Sequence, residues 1–135
     1  MKKIMIAAAV LAILTLVLTG CSKSSEEESV NEKTQYVKIS PKDAKEIMDN
    51  EESIVLDVRT KDEYDQGHIE GAVLLPLDEI SSKAEEVLKD KKVKILVYCR
   101  SGNRSATAAK ALINMGYENV FDFGGIIDWP YEIVK

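Results

Sequence analysis

Apolar positions fall into three regimes along the chain. Ile4 to Leu18 is apolar at every position except Thr15 and follows the basic start Met1-Lys2-Lys3. This is the layout of a secretory signal, and the run is short of the about 20 apolar residues that a membrane span needs. Ser22 to Thr34 has a single apolar residue, Val30, too few to order the segment, so a flexible linker is predicted there. From Gln35 onward short apolar runs alternate with helical patterns. Tyr36 to Ile39 alternates as a strand. Ser40-Pro41, with Asp43 close behind, predicts a capped helix whose apolar face is Ala44, Ile47 and Met48. Ile54-Val55-Leu56 reads as a buried strand ending at Asp57-Val58-Arg59. Thr60 to Tyr64 reads as a capped helical turn stopped by Gly67, and Val73-Leu74-Leu75 as a strand closed by Pro76. Ser81 to Lys89 predicts an amphipathic helix with Ala84, Val87 and Leu88 facing inward. Val93 to Tyr98 predicts a strand, and Ser105 to Met115 a helix ending at Gly116. Val120 to Phe123 is the last strand, broken by Gly124-Gly125, with a terminal turn at Ile126 to Pro130.

Strands alternating with helices define an α/β domain with a mainly parallel sheet, placed at residues 35–135. In such sheets ligands bind beyond the carboxyl ends of the strands. Asp57-Val58-Arg59 follows one strand end and Cys99 another, so both are candidates for one face.

A net charge of −5 argues against broad nucleic-acid binding, which requires a basic face. The chain has fifteen lysines but only three arginines, and two of these, Arg100 and Arg104, stand beside Cys99. The rigid guanidinium fork suits oxyanions better than an ammonium does. His68 is the only histidine, which excludes a histidine-rich metal site; no metal or other cofactor is called for. His68 opens a turn before a strand and reads as structural, as Trp129 does through packing.

Cys99 follows an apolar strand and precedes a short loop, Arg100-Ser101-Gly102-Asn103-Arg104, and a helix start. That arrangement turns backbone N–H groups and the positive helix end towards one point, where a thiol ionises readily. Gly102 supplies the positive φ such a loop needs. No histidine base is adjacent, so the loop itself must stabilise the thiolate. This suits a nucleophile for an anionic sulfur or phosphorus centre. The bland alternative is a small buried hydrophobe at a strand end.

Two resemblances extend this reading. Leu18-Thr19-Gly20-Cys21 resembles a bacterial lipobox. It implies a signal peptide over residues 1–20 and lipidation of Cys21 at the head of the linker, residues 21–34. The domain would then be extracytoplasmic and held to a membrane by its lipid, with Cys99 as the one free thiol. An uncleaved anchor helix would give the same placement. Cys99-Arg100-Ser101-Gly102-Asn103-Arg104-Ser105 resembles the active-site loop of single-domain rhodaneses, the thiosulfate sulfurtransferases. Leu56 to Arg59, Glu63-Tyr64, Gly67 to Ala72, Leu75-Pro76, Gly124-Gly125 and Trp129 follow in the family's order. Val73-Leu74 departs from the pattern, which often has asparagine after Gly-Ala.

The second resemblance implies a rhodanese-like fold, a five-stranded parallel sheet with helices on both faces. It also implies transfer of a sulfane sulfur from thiosulfate or a similar small anion to cyanide or a thiol acceptor, small molecule or protein, through a Cys99 persulfide. Backbone N–H groups of residues 100–105 would cradle that persulfide. Arg100 is the first choice for the donor's oxyanion. Arg104 either shares that role or latches the loop, and Asp57 with Arg59 braces the surroundings. Two other readings stay open. One is a persulfide carrier or redox-sensing module. The other is a cysteine phosphatase or arsenate reductase, which needs five residues between cysteine and arginine where this chain has four.

Overall fold

The computed structural model describes residues 35–135. The signal, lipobox and linker expectations, Cys21 included, lie outside the described residues. Five strands form one sheet: β1 (Val37–Lys38), β2 (Ser53–Asp57), β3 (Val73–Leu74), β4 (Lys94–Cys99) and β5 (Asn119–Gly125). Their order is β1-β5-β4-β2-β3, and every pairing is parallel. Four α-helices connect them: α1 (Pro41–Asn50), α2 (Lys61–Gln66), α3 (Ile80–Val87) and α4 (Asn103–Asn114).

The helix starts follow from local chemistry. The Ser40 hydroxyl accepts the Asp43 N–H, and the Asp43 carboxylate reaches back to the Ser40 N–H. Thr60 and Glu63 repeat this reciprocal box on α2. Each box satisfies backbone donors that a helix start otherwise leaves unpaired.

Period-two alternation in β4 separates two cores. Ile95, Val97 and Cys99 join Leu56, Ala84, Leu88, Ala108, Leu112 and Tyr117 on the α3–α4 side. Leu96 and Tyr98 join Val55, Ala44, Phe123 and Trp129 on the α1 side. Covered on both faces, β4 is a continuous apolar run, as a central parallel strand should be. Trp129 is nine-tenths buried and packs on Phe123, with ring centroids 5.5 Å apart, as the packing reading expected.

Three local expectations change. Val87 is 39% exposed, and Ile80, at 1%, fills the inward position instead, because Ile80, Ala84 and Leu88 form one stripe at i, i+4 and i+8 with Val87 at its edge. Helix α4 begins at Asn103 rather than Ser105, which leaves only Arg100, Ser101 and Gly102 between strand and helix. Strand β5 runs through Gly124-Gly125 instead of stopping there, and Gly125 pairs with Cys99 in the sheet. A Cβ on Gly125 would lie 2.1 Å from the Arg100 carbonyl oxygen. The glycine thus marks a close approach of two backbones, a common meaning of glycine inside a strand.

Leu112 is fully buried between α4 and the sheet. Leu112→Ala should therefore lower unfolding free energy by about 2–5 kcal/mol. Val87→Ala should change it by less than about 0.5 kcal/mol, as exposed sites do. Urea midpoints of the two variants check the assignment, and equal losses would contradict it.

Candidate active site

The carboxyl ends of β2 and β4 lie side by side, with Asp57 registered against Tyr98. Asp57 has no exposed surface. Its Oδ2 accepts from the Tyr98 hydroxyl at 2.7 Å and from Arg59 Nη2 at 2.7 Å, and its Oδ1 accepts from the Arg59 backbone N–H at 3.0 Å. Arg59 Nη2 also donates to the Gly67 carbonyl at 2.8 Å, and the Tyr98 hydroxyl accepts the Ile69 N–H at 3.1 Å. Burial, followed by the bond to Asp57, pushes the Tyr98 hydroxyl well above its ordinary pKa, so it stays a donor. Asp57 and Arg59 are thus a buried ion pair beneath the loop, and they fix the residue immediately before Cys99.

Cys99 is 1% exposed. Its Sγ accepts the Gly102 N–H at 3.0 Å. Gly102 has φ 101°, the left-handed conformation the loop was expected to need, and caps α4. Burial pushes the Cys99 thiol up. The Ser105 hydroxyl and the N–H groups of Ser105, Gly102 and Ser101 push it down by more, so it ends below the ordinary thiol value. The Ser105 hydroxyl also lies 3.0 Å from the Gly102 carbonyl. Its single proton serves one partner at a time, so the backbone N–H groups are the constant donors and Ser105 the adjustable one.

The two loop arginines separate. Arg104 forms a fork-to-fork pair with Glu63, Nη1 to Oε2 at 2.7 Å and Nη2 to Oε1 at 2.8 Å. Glu63 also accepts from the Thr60 N–H at 3.0 Å, so one carboxylate joins the α2 start to the first turn of α4. The Arg104 guanidinium, with the Thr60 donors, holds Glu63 at about 2. Arg100 has no side-chain ion pair or hydrogen bond among the described residues and is exposed. It lines a cavity of about 440 Å³ with Arg59, Glu63, Gln66, Gly67 and three isoleucines. Ser101, Gly102 and Asn103 border a smaller cavity of about 270 Å³ on the other side of the loop, next to Lys38 and Asp122. A third cavity, about 610 Å³ beside Lys45 and Trp129, includes no loop residue.

Three contributors escaped the sequence reading. Tyr98 looked like one more apolar strand residue, and only the strand register sets its hydroxyl against Asp57. Glu63 was visible as a cap residue, but its second partner is 41 residues away. The third is the Ser105 hydroxyl: the sequence reading placed the Ser105 N–H in the cradle but not its side chain, for which the helix start was the signal. His68 is structural, as expected: its ring stacks on Tyr64 at 3.7 Å, and its backbone exchanges two hydrogen bonds with Val134.

The sequence pattern of the Rhodanese-like domain matches residues 40–130. The chain belongs to this family. It is 37% identical over 80 residues to the thiosulfate sulfurtransferase PspE of Escherichia coli, which covers 59% of this chain and 77% of that one. It is 33% identical over 95 residues to the thiosulfate sulfurtransferase GlpE of Coxiella burnetii, covering 70% and 87%. A solved rhodanese with anions from E. coli superposes with a TM-score of 0.58 at 35% identity, covering 62% of this chain and 98% of that one. Other curated relatives are longer: the chain spans 57% of one from Bacillus subtilis and 24% of one from Candida albicans. The rhodanese fold, with its five-stranded parallel sheet, is the one the resemblance implied.

Two predictions follow from the geometry of the rhodanese-like loop. The folded pKa of Glu63 lies below its unfolded value of about 4.3. Its pair with Arg104 thus stabilises the fold fully above that value and is lost as pH falls towards about 2. Between those limits the wild-type denaturation midpoint should fall more steeply with pH than that of Glu63→Gln; parallel curves would refute the pairing. For Cys99, the rate of alkylation against pH should have a midpoint below that of a free cysteine. Ser105→Ala should move the midpoint up and Ser105→Thr should restore it, measured by iodoacetamide trapping.

Proposed function

We propose that this rhodanese-like chain is a sulfurtransferase whose nucleophile is Cys99. The observation that carries the reading is the Cys99 sulfur held at the end of β4, with the Gly102 N–H 3.0 Å away and its pKa lowered by the loop donors. The thiolate attacks the outer sulfur of thiosulfate, and the bond from that sulfur to the sulfonate breaks. Sulfite leaves with the bonding electron pair, and Cys99 keeps the sulfur as a persulfide. Cyanide or a thiol acceptor then takes the terminal sulfur and regenerates the thiolate. This is covalent catalysis with ping-pong kinetics.

In this scheme the N–H groups of Ser101, Gly102 and Ser105 stabilise the anionic sulfur in both of its forms. Arg100, with no side-chain partner among the described residues, receives the donor's oxyanion. Arg104 is the latch, because its fork is already filled by Glu63. Asp57 and Arg59 hold Tyr98, and through it the loop's first residue. The names of PspE and GlpE support thiosulfate as a donor. Four residues between Cys99 and Arg104, with Arg104 engaged by Glu63, disfavour a phosphatase, which needs a larger open ring of donors for a tetrahedral oxyanion. We also propose that Cys21 is lipidated and tethers the domain outside the cytoplasm, where the acceptor would be met.

Cys99→Ser should abolish thiocyanate formation from thiosulfate and cyanide. Intact-mass measurement after thiosulfate treatment should show about 32 Da added to the wild type, one sulfur on the covalent route, and none on the variant. Activity retained without Cys99, or release of phosphate from an aryl phosphate in place of thiocyanate, would overturn the assignment.

A further inference from the structure

The cavity of about 610 Å³ is lined by residues of α1, of the turn at Ile69-Glu70 and of the C-terminal segment from Trp129 to Glu132. Its size is that of a ligand pocket, and Met48, Ile69, Trp129 and Tyr131 give it apolar and aromatic surface. Four of its lining residues are charged: Lys45, Asp49, Glu70 and Glu132. Lys45 is paired with Asp49 one helical turn further on. Glu70 and Glu132 are exposed and have no ion pair or side-chain hydrogen bond among the described residues. The cavity is left with two unmatched carboxylates, in a chain whose net charge is −5.

The Trp129 indole adds a feature independent of these carboxylates. It is nine-tenths buried, and its Nε1–H has no hydrogen-bond partner. Among the described residues, every other fully buried side-chain nitrogen or oxygen is paired. An indole N–H shut away unpaired forfeits the bond it makes to water in the unfolded chain, a cost that an incoming acceptor removes. Tyr131 packs against the indole at a steep angle, ring centroids 4.9 Å apart, and is 39% exposed. This partly exposed ring is the part of the lining that can turn outward and let an acceptor reach the indole. It also already faces a cation, since Lys45 Nζ lies 5.8 Å from its centroid.

An acceptor for the indole, a positive charge for the carboxylates and an apolar stem for the rings occur together in one chemical unit, a basic residue within a peptide. Its backbone carbonyl accepts, its head group is cationic and its methylene stem covers apolar surface. We propose that this cavity docks a basic peptide segment of a partner protein. A peptide carbonyl accepts the Trp129 Nε1–H, and the cationic side chain pairs with the carboxylates of Glu70 and Glu132. Arginine suits the site better than lysine, because its planar group stacks on an aromatic ring as well as pairing with a carboxylate. None of the lining residues takes part in the sulfur transfer proposed for Cys99. The surface is nonetheless joined to the loop by a short path: Trp129 follows the turn Ile126–Asp128, whose Ile127 N–H donates to the Arg100 carbonyl at 3.3 Å.

Trp129 is the only tryptophan of the chain, so the one indole signal in a nitrogen–proton correlation spectrum reports this site alone. Titrating the full chain, kept in nonionic detergent, with acetyl-Gly-Arg-Gly-amide should shift that signal saturably. Acetyl-Gly-Glu-Gly-amide at the same concentrations should leave it in place. Methylguanidinium, which has the charge without the carbonyl, should bind several-fold more weakly than the arginine peptide. The double variant Glu70→Gln, Glu132→Gln should also weaken the arginine peptide several-fold, as loss of exposed charge pairs does. Both residues are exposed, so the variant keeps the fold, which the rest of its spectrum verifies. An indole signal moved by neither peptide, an equal response to both, or an affinity unchanged in the double variant overturns the proposal. Equal binding of methylguanidinium overturns it in favour of a small cation, and an indole shift on concentrating the protein alone overturns it in favour of a second copy of this chain.

Discussion

The Asp57 carboxylate is fully buried, and a charge in that position persists only if its oxygens are paired. The partners it takes are the Arg59 fork and the Tyr98 hydroxyl. Tyr98 is thereby fixed on the α1 side of the sheet, and strand alternation turns the next residue, Cys99, to the α4 side. Arg59 carries the same constraint outward to the Gly67 carbonyl, at the turn against which the C-terminal segment rests. Removing one member of such a network leaves an uncompensated buried charge, which typically costs about 3–5 kcal/mol. The site geometry and a share of the fold's stability therefore rest on the same few atoms.

A second constraint acts from the other side of the loop. Gly125 pairs with Cys99, and the Arg100 carbonyl occupies the space a side chain at Gly125 would take. The loop can be three residues long only because β5 approaches it without a Cβ. A short loop in turn points the Gly102 N–H back at the sulfur and lets α4 start at Asn103. With Arg104 committed to Glu63, Arg100 is the loop arginine left without a side-chain partner among the described residues. That division of charge shapes the proposed reaction.

Much of this was legible in the chain. The run from Val93 to Tyr98, the cap residues Ser40 and Thr60, and the glycines at 102 and 116 encode strand, helix starts and turns through interactions only a few residues long. Such interactions do not depend on what the rest of the chain does. Cys99 and its arginines stood out because their chemistry is rare in this sequence: one thiol in the domain and three guanidinium groups in all. The inward position assigned to Val87 failed because the buried stripe of α3 runs through Ile80, Ala84 and Leu88 at i, i+4 and i+8, which leaves Val87 at its edge.

The sequence by itself determined the α/β alternation, the parallel sheet, the position of the candidate nucleophile and the short loop of backbone donors after it, because each follows from local periodicity or from adjacent residues. Only the tertiary structure decided which loop arginine is engaged by a carboxylate. The Arg104–Glu63 and Tyr98–Asp57 contacts each span 41 residues, and strand register rather than local propensity brings such groups together. The same holds for Gly125, read along the chain as a break and found in the sheet as a point of contact.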